Sequence, residues 1–79
     1  MKFTLYLTTP QMMGSNRVKA WLATLEAAKL PAPEVIIDYH AAMKVADGKL
    51  NPLAGGVLVA PDGTRLFINS HLTDWLKAQ

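Results

Sequence analysis

The ten residues TTPQMMGSNR, from Thr8 to Arg17, decide the fold because they join the first predicted strand to the first predicted helix. The sequence before them alternates between apolar and polar side chains, and the sequence after them has the period of an amphipathic helix. In a strand-to-helix unit the turn leaves backbone N–H groups and the positive helix end facing one open crevice, where ligands commonly bind. No cysteine occurs in this stretch, and the functional interpretation depends on that absence.

The first strand is predicted over residues 2–8, and the first helix runs from Ser15 or Asn16 to Lys29. Gly14 is predicted to supply a tight turn between them, and Ser15 or Asn16 to act as the N-cap of the helix. Apolar side chains form one face of the strand and one stripe of the helix. These side chains are Phe3, Leu5 and Leu7 in the strand, and Val18, Trp21, Leu22, Leu25 and Ala28 in the helix.

The β-branched run from Val35 to Ile37 predicts a second strand within residues 34–39, buried on both faces and parallel to the first. A short helix is predicted over residues 40–47, with Gly48 in the left-handed conformation at its end. A hairpin is predicted from residues 57–60 and 65–68, since Pro61-Asp62-Gly63-Thr64 between them is typical of a tight turn. Asn69 or Ser70 then caps a last helix.

The predicted fold class is therefore α/β, with the order β-α-β-α-β-β-α in a single domain over residues 1–79. One parallel pair and one antiparallel hairpin, joined into one mixed sheet of four strands, give the spatial order 2-1-3-4 with helices on both faces. We expect these 79 residues to bury one core and to form one small domain.

Composition excludes several classes of function. With zero cysteines the chain performs no thiol redox chemistry and forms no disulfide scaffold or thiolate metal site. A net charge of +2 from scattered basic residues does not indicate nucleic-acid binding. The sequence shows no signal peptide or membrane span, so we expect a cytoplasmic protein without a membrane partner. His40 and His71 lack the spacing of a metal or acid–base site, so no metal is expected.

The predicted topology and the stretch after the first strand resemble the glutaredoxins of the thioredoxin superfamily, including the small phage-encoded kind. In that family a motif of the form T-T-P-x-C-x-x-C-x-x-A-K follows the first strand. An alignment without gaps matches Thr8, Thr9 and Pro10, places Met12 and Ser15 on the two cysteine positions, and places Val18 and Lys19 on the alanine and lysine positions. The chain departs from the family at Gly56, where a proline is expected, and at Phe67 and Ile68, where a glycine pair is expected.

The N-terminal domain of the glutathione transferases is a second resemblance. Asn51-Pro52 is similar to its N-P loop, and Asn69-Ser70 is similar to its glutathione-holding pair. Ser15 would stand for the serine that activates the glutathione thiol. The all-helical second domain of that family has no counterpart in these 79 residues.

The resemblance implies a non-catalytic glutaredoxin-like binding module that has lost its redox cysteines, without a cofactor and with a protein as partner. A phage origin is expected from the likeness to the phage-encoded kind. The alternative is a glutathione-binding or transferase-like domain in which Ser15 holds the thiol. Not being a thiol–disulfide oxidoreductase, the chain is more readily interpreted as a binding protein than as an enzyme.

The candidate site surrounds the crevice, and no residue in it is assigned as catalytic. Met12 and Met13 are either exposed at the loop tip, as adaptable partner contacts, or packed in the core. Ser15 is either a simple N-cap or a residue that holds a thiol. Arg17 and Lys19 belong either to a surface that contacts a partner or to a solvated helix face. The degenerate active-site positions are Pro10, Met12, Met13 and Ser15, and the candidate contacts are Arg17, Lys19, Gly55, Gly56, Asn69 and Ser70.

Overall fold

The computed structural model describes residues 2–67 and 72–78, and the elements within them follow the predicted order. The strands are β1 (Thr4–Leu7), β2 (Glu34–Ile37), β3 (Gly56–Val59) and β4 (Arg65–Phe67). The helices are α1 (Asn16–Ala27), α2 (Tyr39–Val45) and α3 (Leu72–Lys77), and a 3₁₀ helix (Pro10–Gly14) precedes α1. The predicted caps of the last helix, Asn69 and Ser70, lie outside the described residues, as does His71.

The four strands form one mixed sheet in the order β2-β1-β3-β4, which confirms the predicted α/β fold class and the strand order 2-1-3-4. β1 is parallel to β2 and antiparallel to β3, which in turn is antiparallel to β4. The register sets Leu5 beside Val35 on one side and Leu58 on the other. β1 is therefore a central strand, and its carboxyl end leads directly into the candidate site.

Helices cover both faces of the sheet, as predicted, and each face has its own apolar cluster. On the α1 and α3 face, the alternating side chains of β1 pack with those of both helices. That cluster contains Phe3, Leu5, Leu7, Met12, Val18, Trp21, Leu25, Leu58, Ala60, Leu66 and Leu72. On the α2 face the cluster contains Ala42, Ala46, Leu50 and Val57, with Tyr6 and Met43 packed against it.

The expectation that β2 is buried on both faces is wrong. β2 is the edge strand of the sheet, and Val35 and Ile37 remain 37% and 43% exposed. A β-branched run favours an extended strand wherever that strand lies, so it does not distinguish a central position from an edge. Parallel pairing was correctly expected from the run, but burial was not.

The ends of α1 and α2 are set by left-handed backbone. α1 ends at Ala27 instead of the expected Lys29, because Lys29 has a φ of 59° and its N–H donates to the Glu26 carbonyl. Gly48 has the predicted left-handed φ, 73°, and its N–H donates to the Met43 carbonyl at 2.8 Å. No helix in the described parts of the chain is long and apolar enough to cross a membrane.

The turn between β3 and β4 has the expected geometry. Gly63 has a φ of 92°, which suits glycine, and its N–H donates to the Ala60 carbonyl at 2.9 Å. The Asp62 carboxylate accepts from the Thr64 N–H at 2.9 Å. These bonds fix the register in which Val59 pairs with Arg65.

We expect the pKa of Asp62 to lie below its ordinary value of 3.8, since hydrogen bonds from the backbone and then the side chain of Thr64 favour the carboxylate. Because the pKa falls on folding, the stabilisation is complete above pH 3.8 and disappears as the pH drops through the lower folded value. A carboxyl NMR titration measures this midpoint directly. A midpoint at or above 3.8 would contradict the expectation, and Thr64→Ala should raise the midpoint by removing the side-chain contribution.

Candidate functional site

The segment after β1 is a 3₁₀ helix where the sequence predicted a tight turn at Gly14. Thr9 precedes it with extended backbone, and Pro10 is its first residue, where a missing N–H costs nothing. The Met12 N–H donates to the Thr9 carbonyl at 3.2 Å, and the Ser15 N–H donates to the Met12 carbonyl at 3.0 Å. Gly14 ends this 3₁₀ helix without left-handed backbone, so the turn expected here does not depend on a glycine conformation.

The two methionines of the turn point to different environments. Met12 is 8% exposed and belongs to the core cluster beneath α1, whereas Met13 is 37% exposed. The sequence allowed these methionines to be packed in the core or exposed at the turn, and Met12 takes the first position and Met13 the second. The position that aligns with the first glutaredoxin cysteine is consequently part of the core, and the adjacent thioether is the one available to solvent.

Ser15 is the N-cap of α1. Its backbone is extended and its Oγ accepts from the Arg17 N–H at 3.2 Å. This hydrogen bond satisfies one of the N–H groups that the first helical turn leaves without an intrahelical partner. The simple capping interpretation of Ser15 is therefore sufficient to explain its side chain.

Ser15→Ala should lower the free energy of unfolding by about 1 kcal/mol, because the substitution removes this cap. Ser15→Asn is the matched control, since asparagine caps as well as serine and should leave the stability nearly unchanged. Urea denaturation followed by circular dichroism measures both. Equal stability of Ser15→Ala and the native chain would contradict the capping role.

Hydrogen bonds join Thr8, directly after β1, to Gly55, directly before β3. The Thr8 N–H donates to the Gly55 carbonyl at 3.0 Å, and the Thr8 hydroxyl donates to the same oxygen at 3.2 Å. The Gly55 N–H donates to Thr8 Oγ1 at 3.0 Å. Thr8 is buried, so this hydroxyl is a structural contact that positions the loop before β3.

Thr8→Val should lower the free energy of unfolding by about 1.5 kcal/mol, because it leaves the buried Gly55 N–H without its acceptor. Thr8→Ser keeps the hydroxyl and should lose much less. Hydrogen exchange of the Gly55 amide supplies a local measurement, and it should become faster in the valine variant. Unchanged exchange would show that the bond does not hold this loop.

The structure brings part of the predicted site together. Gly55 and Gly56 are buried beside the end of β1, where Gly56 is paired with Leu7. Arg17 and Lys19 are exposed in the first turn of α1, and Pro10 is exposed at the start of the 3₁₀ helix. Asn69 and Ser70 lie outside the described residues. Sequence reasoning assigned Thr8 only to the motif and missed its role, since its partner is 47 residues away.

Asp38 and His40 lie outside the turn, and their contacts are with residues of α2. Asp38 is the N-cap of α2 and accepts from the Ala41 N–H at 3.1 Å. His40 is exposed, with its ring at an edge-to-face distance of 5.4 Å from that of Tyr39. Within residues 2–67 and 72–78, no group of three His, Asp or Glu side chains is placed to hold a metal ion.

Chemically, this turn offers a capping hydroxyl, two solvated cations, an exposed thioether and backbone groups, a set suited to contacts more than to covalent catalysis. The glutaredoxin resemblance stays an interpretation of the sequence. Comparison with known proteins found no match for this chain among protein-family models, curated proteins or solved structures.

Proposed function

We propose that this chain is a non-catalytic, glutaredoxin-like module that binds another protein. The proposal rests on the structural roles of Met12 and Ser15, the two residues that align with the redox cysteines of the glutaredoxins. Met12 is packed in the core and Ser15 caps α1, so both side chains support the fold at the place where the family performs chemistry. A phage origin, suggested by the resemblance, belongs to the same proposal.

Large apolar side chains on the surface support an interaction role. Single exposed apolar residues are normal on a soluble protein, but adjacent ones indicate a contact surface. Val35, Ile37 and Tyr39 are all more than one-third exposed and fall within five residues, on β2 and the start of α2. Met13 at the turn and Leu53 in the loop before β3 add two further exposed apolar side chains.

The proposal is tested by affinity capture from a lysate of the source cells, followed by mass spectrometry. A partner should be recovered by the tagged chain and displaced by an excess of the untagged chain. Two exposed-site variants, Met13→Lys and Ile37→Lys, then assign the partner to the turn or to the sheet edge. If no recovered protein is displaced by the untagged chain, the binding-module proposal fails.

Glutathione binding is the rival function, and an amide chemical-shift titration of ¹⁵N-labelled protein with reduced glutathione separates the two. We expect no perturbation at millimolar glutathione. Shifts confined to residues 12–17, 55–57 and 69–71 would contradict the proposal and favour a glutathione site. Ser15→Asn is the matched variant for that outcome, because it should keep the α1 cap while removing the hydroxyl that would hold a thiol.

A further inference from the structure

One edge of the sheet is formed by β2. The N–H and carbonyl groups of Val35 and Ile37 are the ones that point away from the sheet. Toward β1, the Glu34 N–H donates to the Phe3 carbonyl at 3.2 Å and the Asp38 N–H donates to the Leu7 carbonyl at 3.1 Å. Backbone groups of successive strand residues point to opposite sides, so those of Val35 and Ile37 point away from β1. The edge thus offers two N–H donors and two carbonyl acceptors to a further strand.

An apolar surface accompanies this edge on the α1 side. Val35 and Ile37 are in register with Leu5 and Leu7, so they lie on the sheet face that α1 covers, yet both remain partly exposed. At the start of β2, α1 and the segment before the strand form an open groove of about 280 Å³. Its lining residues are Leu22, Leu25, Glu26, Leu30, Ala32 and Pro33, the last of which directly precedes β2.

Carboxylates lie at both ends of this edge, and those of Glu34 and Asp38 point to the α2 side because side chains alternate along a strand. Glu34 and Asp38 lie at the two ends of β2, and Glu26 lies at the groove; all three are exposed. Within the described residues none of the three forms an ion pair, and the ion pair found there joins Arg65 to Asp47 at 3.7 Å. The edge therefore combines an apolar centre with negative charge at both ends.

We propose that the β2 edge binds an extended segment of a partner protein that is apolar at alternate positions and carries Lys or Arg at both ends. This inference rests on the proposed function and names its surface. Main-chain hydrogen bonds to Val35 and Ile37 supply the pairing, as in other cases where a peptide adds a strand to a sheet. One apolar side chain of the segment enters the groove, and its basic ends approach Glu34 and Asp38.

A second copy of the chain fits this edge less well than a basic partner. In an antiparallel pair that uses Val35 and Ile37 of both copies, Val35 of each copy lies opposite Ile37 of the other. That register sets Glu34 directly opposite Asp38 at both ends of the pair, and like charges in facing positions are destabilising. The charge pattern thus selects an occupant with basic ends.

The test compares two synthetic peptides, acetyl-KVTVK-amide and acetyl-EVTVE-amide, by amide chemical-shift titration at low ionic strength. With their valines opposite Val35 and Ile37, their end residues lie opposite Glu34 and Asp38. The basic-ended peptide should shift the amides of Val35 and Ile37 and bind about fivefold more tightly than the acidic-ended one. Added salt should reduce this preference, because the facing charges are exposed and screened. No binding of the basic peptide at millimolar concentration overturns the inference.

Two sets of variants make the test specific to the edge. Val35→Pro removes an outward N–H that β1 does not use, a position where an edge strand tolerates proline, and it should abolish peptide binding. The double variant Glu26→Lys with Glu34→Lys alters exposed side chains, so folding is retained. It should abolish the preference for the basic-ended peptide, because only Asp38 is then left to face a basic end. An unchanged preference in the double variant overturns the inference even if the proline variant fails to fold.

The remaining outcomes separate this inference from the proposed function. A concentration-dependent dimer that Val35→Pro abolishes would make a second copy the occupant and overturn the basic-segment inference. Shifts over Met12–Arg17 instead of β2 would also overturn it. If affinity capture finds a displaceable partner whose binding the double variant does not change, the binding module stands and its surface lies elsewhere.

Discussion

Phe3→Ala should lower the free energy of unfolding by about 3–5 kcal/mol, a large part of the total of roughly 4–12 kcal/mol expected for a domain of this size. Phe3 is completely buried, and its ring meets that of Trp75 edge-to-face at 5.3 Å. Its removal leaves a cavity between the start of the sheet and α3. Urea unfolding followed by circular dichroism measures the loss, and tryptophan fluorescence reports the change around Trp75.

Leu53→Ala is the matched control for this prediction. Leu53 is also large and apolar, but it is 81% exposed, so its truncation should change the stability by less than about 0.5 kcal/mol. Phe3→Leu should fall between the two because it leaves a smaller cavity. A loss of under about 1 kcal/mol in Phe3→Ala would show that α3 does not depend on this contact.

Most of the fold could be predicted from the spacing of apolar side chains along the sequence. Alternation at Phe3, Leu5 and Leu7 predicted the core face of β1, and all three side chains are fully buried. The helical stripe of α1 was correct at its centre, where Trp21 and Leu25 are buried, and failed at its end. Ala28 is exposed because the helix has already ended. Periodic patterns thus predict which face is buried better than they predict where an element stops.

The parts of the site that the sequence did not predict depend on contacts distant in the chain or on position in the sheet. Adjacent residues of a 3₁₀ helix point about 120° apart, so the motif alone could not decide which of Met12 and Met13 enters the core. Pairing of Thr8 with Gly55 spans 47 residues and has no local signal. A β-branched run does not indicate whether its strand is central or at an edge. Val35 and Ile37 are exposed because β2 is an edge strand.

The loop before β3 has no room for a side chain at Gly55, and Gly55→Ala should therefore lower the free energy of unfolding by about 3 kcal/mol. A Cβ at this position would lie 2.7 Å from the Asn51 carbonyl oxygen and 2.9 Å from Leu50 Cβ. The first contact is with backbone, which cannot rotate away as a side-chain end would. Leu50 belongs to the α2 cluster, so any shift of this residue also disturbs the core on that face.

Gly14→Ala is the control that separates crowding from the loss of glycine itself. Nothing lies within 4 Å of a Cβ built on Gly14, which also lacks left-handed backbone, so this variant should be as stable as the native chain or slightly more stable. Thermal unfolding of the two variants side by side gives the comparison. Equal stability would mean that the loop relaxes around the added methyl group, and the Gly55 amide would then exchange faster because its bond to Thr8 would have moved. If Gly55→Ala is destabilised and Gly14→Ala is not, Gly55 is required for close packing within its loop. That structural requirement explains a glycine at position 55 without a bound glutathione.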